Sequence, residues 1–143
     1  EEYLDYLKTL KGWSNVEYLG FCKFEDVMKE YEKGGVGVFL HKYTGNVGYK
    51  EGSDGILKIY EYMSYGLPVI MTDFNNLLVI NECYEFGISC GNDISSFKRA
   101  LNEVFLESNY KKYSSGSILA HLEKFNWDFE VENIKSCYLP LHD

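Results

Sequence analysis

No Cys-x-x-Cys spacing links Cys22, Cys83, Cys90 and Cys137. That removes the zinc knuckle and the dithiol redox motif from consideration. The four thiols are expected to be reduced and mostly buried, as in a cytosolic protein. His41, His121 and His142 lack metal-ligand spacing, so no metal is expected. No apolar run approaches the roughly 18 residues of a membrane span, and no signal peptide is visible. Basic charge is short: 14 Lys and Arg face 22 Asp and Glu, for a net charge of -8. This argues against non-specific nucleic-acid binding, which relies on a basic surface. It leaves room for one phosphate-bearing small ligand at a local basic spot. A G-x-G-x-x-G loop is missing, which argues against a generic dinucleotide binder. Repeats, linkers and low-complexity segments are missing too. The chain begins with Glu1 rather than Met, which fits a piece of a longer protein.

What is present suits one α/β domain over 1–143, with 45% hydrophobic and 17% aromatic residues. Tyr3, Leu4, Tyr6, Leu7 and Leu10 have helical spacing, closed by Gly12. Residues 15–19 alternate before Gly20 and predict a short strand. A helix is expected over 25–33. Val36–Leu40 is a near-continuous apolar run, as in a parallel strand covered on both faces. Residues 41–54 form a long glycine-bearing loop, a type that is often functional. A helix at 56–64 and a strand at 68–71 follow, then a short helix at 76–84 and a weak strand at Ile88–Cys90. Asp93 is placed to cap a helix running to Leu106, with Ile94, Phe97, Leu101, Val104 and Phe105 on its inner face. Residues 108–124 predict a helix interrupted at Gly116, and Trp127–Tyr138 a terminal helix. Strands alternating with helices point to a Rossmann-like parallel sheet flanked by helices.

The chemistry concentrates in Gly52–Asp73, where Gly52, Ser53 and Gly55 lead straight into a helix. Glycines permit close backbone approach to a ligand, and a helix start offers amide hydrogens and a positive dipole end to an anion. Lys58 and Glu61, three residues apart, share a helix face. An ammonium there can meet a diphosphate, and a carboxylate one turn on can accept hydrogen bonds from a ribose diol. By spacing alone, a solvated surface pair contributing about 0–1 kcal/mol is the commoner outcome. Against that reading, the Lys-first order is the less favourable one with respect to the helix dipole. Asp54 or Ser53 is expected to cap the helix, with Asp54 assigned to capping. Tyr60, Tyr62 and Tyr65 are expected to pack rather than bind.

LKIYEYMSYGLPVI resembles the pattern K-hydrophobic-x-E-Y-hydrophobic-small-x-G-x-P-V-hydrophobic of the group 1 family of GT-B-fold glycosyltransferases. NVEYLGF, GVGVFLHKY, FGISC and FNWDFEVENIKSCY resemble further pieces of that family in the same order, over nearly the whole chain. The resemblance implies the C-terminal, donor-binding domain of a retaining, nucleotide-sugar-dependent transferase, with UDP-hexose the expected donor. It implies that Glu61 binds the donor ribose, that amides of Gly55, Ile56 and Leu57 hold the diphosphate, and that Lys58 lies near the phosphates with an electrostatic role. Gly20 and Phe21 would lie beside the nucleobase. Many members carry a second glutamate eight residues before the first, where Ser53 stands here, and a proline or phenylalanine where Gly55 stands. Neither cofactor nor metal is implied.

The resemblance also implies missing parts: the N-terminal, acceptor-reading domain and the first strands of the C-terminal domain, with their diphosphate clamp. In a doubly wound order those strands separate 15–19 from 36–40. The two segments are therefore expected to pair directly or to leave an edge that another chain fills, giving a homo-oligomer. The partners implied are a nucleotide sugar and, through the missing domain, a glycan or lipid-linked acceptor. The location implied is cytoplasmic, or peripheral at a membrane, although no basic amphipathic helix supports membrane binding. The alternative reading is a non-catalytic module that stabilises or scaffolds an active transferase.

Overall fold

The computed structural model describes residues 2–53 and 55–138. It divides into two units, Glu1–Glu30 and Tyr31–Asp143. The first carries α1 (Glu2–Lys8), a 3-10 turn at Lys11–Asn15 and the start of α2 (Phe24–Lys33). No described residue up to Glu30 is buried, and Tyr3, Tyr6, Tyr18 and Phe21 are all exposed. The strand expected over 15–19 does not form: Asn15 ends the 3-10 turn and 16–20 belong to no strand. Alternation alone does not make a strand without a neighbour to accept its hydrogen bonds.

The second unit holds a three-stranded parallel sheet: β1 (Gly37–Phe39), β2 (Val69–Thr72) and β3 (Gly87–Cys90), in that order. Gly37 pairs with Val69, which pairs with Gly87. The helices are α3 (Leu57–Ser64), α4 (Asn75–Tyr84), α5 (Ile94–Val104), α6 (Glu107–Glu123) and α7 (Trp127–Tyr138). The strand covered on both faces is β2, not the Val36–Leu40 run. β2 is buried throughout, whereas β1 is an edge that exposes Val38, followed by exposed Leu40. Val69 and Met71 point into one core with Ile59 and Met63 of α3, Leu77 of α4 and Ala120 of α6. Ile70 points the other way, into a second core with Ala100 and Val104 of α5. This is the period-two alternation of a strand, used on both faces.

Several local expectations change. The α5 face turns: Phe97, Leu101 and Val104 pack inward, but Ile94 and Phe105 are exposed, and Ser96 and Ala100 fill the close contacts. The α5 cap is as expected, with Asp93 Oδ1 accepting from the Ser96 amide at 2.9 Å. Gly116 does not interrupt α6, which runs unbroken for 17 residues. A Cβ at Gly116 would strike the carbonyls of Tyr84 and Glu85, so the glycine is there for close approach. The next residue, Ser117, donates to the Leu67 carbonyl at 2.8 Å. The thiols are not mostly buried: Cys90 is, but Cys83 and Cys137 are exposed. No described helix is long and apolar enough to cross a membrane.

Candidate functional site: the Lys58–Glu61 pair

The sequence of α3 sorts itself onto three stripes. Ile56, Ile59 and Met63, at spacings of three and four, are buried in the core and fix the helix's rotation. Leu57 and Tyr60 form a second stripe. They border a groove of about 650 Å³ also lined by Val79, Ile80, Phe125 and Trp127. Lys58 and Glu61 form the third stripe and are not part of that groove. Their charged ends meet at 3.0 Å.

A third residue joins them. Tyr31, near the end of α2, donates its hydroxyl to Glu61 Oε2 at 2.8 Å and accepts from Lys58 Nζ at 2.6 Å. Its ring lies 5.4 Å below the Lys58 ammonium. Edge-on rings of Tyr62 and Tyr65, with centroids at 5.4 and 5.6 Å, hold it. Burial works to lower the Lys58 pKa, but the hydrogen bonds it donates to Tyr31 and Glu61 outweigh that and carry it up to about 12. Burial pushes the Tyr31 phenol up, and the Glu61 carboxylate adds to that against the opposing pull of Lys58. At neutral pH the trio therefore holds a full ammonium and a neutral phenol. The pair is more than the isolated surface ion pair that its spacing suggests. Sequence reasoning missed Tyr31, because 27 residues separate it from Lys58 and only the fold of the second unit brings the two side chains together.

The loop ahead of α3 behaves differently from expectation. The helix begins at Leu57 with Ile56 as its N-cap and no side-chain capping bond, so Ser53 is not the cap. Ser53 Oγ instead accepts from the Gly55 amide at 3.1 Å, closing a tight turn. The assignment of Asp54 to capping lies outside the described residues. The Leu57 amide donates to the Gly55 carbonyl at 2.9 Å. Two of the three amides expected to face a diphosphate, those of Gly55 and Leu57, are thus already hydrogen-bonded within the loop. Ile56 is buried, and its side chain belongs to the core. Gly20 has a left-handed backbone, φ 68°, and Phe21 is fully exposed; both lie in the first unit.

A second polar cluster, unpredicted, gathers at the C-terminal ends of the strands. Lys50 Nζ meets Asp73 Oδ2 at 2.7 Å, and the Tyr43 hydroxyl donates to Asp73 Oδ1. Asn75 Nδ2 donates to Glu51 Oε2 at 2.9 Å. Buried Thr72 accepts from the His41 amide at 2.8 Å, and Asn92 Nδ2 donates to the His41 carbonyl at 3.0 Å. Burial works to raise the Asp73 pKa, but Lys50 and Tyr43 prevail and lower it. These bonds pin the 41–53 loop over the strand ends, the side on which open α/β sheets bind ligands. The sequence signal for it was Asp73, directly after an apolar strand. No group of described residues could hold a metal ion. Comparisons with protein-family models, curated proteins and solved structures gave no match.

Proposed function

We propose that the chain is the donor-binding part of a GT-B-fold, group 1-type glycosyltransferase. It would bind a nucleoside-diphosphate sugar, with UDP-hexose the expected donor, for retaining transfer to a glycan or lipid-linked acceptor. The observation that carries this reading is the disposition of Lys58 and half-buried Glu61 on one stripe of α3, directly after the glycine-bearing turn. A diol can donate to the carboxylate, and a phosphate oxygen can accept from the ammonium. Stabilising charge on the departing diphosphate is the largest contribution a binding domain can make to glycosyl transfer. The resemblance of LKIYEYMSYGLPVI to the family pattern supports the same residues in the same roles. By that resemblance the acceptor site and the diphosphate clamp lie in parts outside these residues, so the chain by itself is expected to bind and not to turn over.

The second reading, a non-catalytic module that steadies a partner transferase, draws on the Gly55 and Leu57 amides. Their hydrogens are engaged within the loop rather than turned toward a ligand. Calorimetric titration with UDP, ADP and GDP separates the two. The donor-site reading expects binding of at least one nucleotide, with UDP preferred, and at least tenfold weakening by Glu61→Ala, about 1.4 kcal/mol. Absence of binding, or binding indifferent to Glu61→Ala, favours the module.

A further inference from the structure

We propose that Tyr31 is a built-in competitor for the Glu61 carboxylate, its phenol standing where a ligand hydroxyl would bind. The inference rests on the donor-site reading and adds a regulator to that site. The Tyr31 oxygen lies 2.8 Å from Glu61 Oε2 and 2.6 Å from Lys58 Nζ. It donates to the carboxylate and accepts from the ammonium. A ribose hydroxyl between a carboxylate and a phosphate-binding lysine would do the same two things.

A vicinal diol engages a carboxylate best with one hydroxyl on each oxygen. Here both protein partners of Glu61, the Tyr31 hydroxyl and the Lys58 ammonium, sit on Oε2. Among the described residues Oε1 has no partner. One half of the carboxylate is therefore open and the other half is filled. A diol can complete its bidentate contact only after the phenol leaves Oε2. The Tyr31 ring is held by Tyr62 and Tyr65, so the filled state is an ordered one. A site filled most of the time binds ligand more weakly by the fraction of time it is open. Tyr31 thereby sets the affinity without being part of the bound state.

Calorimetric titration of UDP into the full chain tests this with Tyr31→Phe, which keeps the ring between Tyr62 and Tyr65 and removes only the oxygen. The expected result is UDP binding tighter than in the unsubstituted chain by about tenfold, with that binding lost in the Tyr31→Phe, Glu61→Ala double variant. Tyr31→Leu, a second way to remove the hydroxyl, is expected to move affinity in the same direction. Equal or weaker UDP binding in Tyr31→Phe overturns the competition and leaves the donor site standing. No UDP binding in either the unsubstituted chain or Tyr31→Phe overturns the donor site, and the competition with it.

Discussion

Lys58 is the one described cation on the proposed ligand-facing stripe of α3, and its state decides how that stripe meets an anion. Its folded pKa of about 12 lies above the ordinary lysine value, because Tyr31 and Glu61 hydrogen bonds overcome the opposing effect of burial. A raised pKa means stability that is fully present below the unfolded value of about 10.4. That stability is lost as pH rises toward 12. With the side chain 45% exposed, screening keeps the contribution below about 1 kcal/mol. Denaturant midpoints of the chain and of Lys58→Met are therefore expected to differ slightly and constantly through neutral pH, and to converge above about pH 10.4. A gap that widens with pH would contradict the assignment. Ile59, fully buried one residue away, makes the contrasting case. Ile59→Ala is expected to cost about 2–5 kcal/mol in chemical denaturation, because it empties the core that fixes the rotation of α3. A loss under 1 kcal/mol would mean that the core does not set that rotation.

At the scale of elements, helices and the inner strand were legible in the sequence because their own residues specify them. The apolar run Pro68–Met71 and the cap at Asp93 are local signals, and β2 and α5 follow from them. The segment 15–19 failed because a strand is a relation between two chains of backbone, and its alternation supplies only one. Gly116 was misread for a related reason. A glycine inside a helical pattern signals either a break or a close approach, and only the position of Tyr84 and Glu85 decides. Gly116→Ala is expected to destabilise by about 1–3 kcal/mol in thermal or urea unfolding, although alanine is the better helix former. Stabilisation by this substitution would refute the close-approach account. The 41–53 loop was recognised as long, but its anchors at Asp73, Asn75 and Thr72 come from strand and helix ends far away in sequence. Asp73→Asn weakens the ion pair with Lys50, and amide exchange across residues 43–53 is expected to accelerate while β2 stays protected. Uniform exchange rates would show that the loop is held by other contacts.

For the whole molecule, the α/β class follows from the order of its elements, and the three-stranded parallel sheet agrees with it. The candidate site was half legible: Lys58 and Glu61 came from a local motif, Tyr31 and the engaged loop amides only from the fold. Among the described residues, all the buried ones lie beyond Glu30. Deleting residues 2–22 is accordingly expected to change unfolding free energy by no more than about 1 kcal/mol, within the range of surface changes; a loss of cooperative unfolding would show that the first unit is integral to the core. The claim that joins these scales is that nucleotide binds on α3. Titrating UDP into the isotopically labelled full chain and following backbone amide shifts tests it most directly. The account predicts saturable shifts centred on Gly55 to Glu61 and at Tyr31, absent in Glu61→Ala. Shifts that cluster on α5 and α6 instead, or no shifts at saturating UDP, would contradict it.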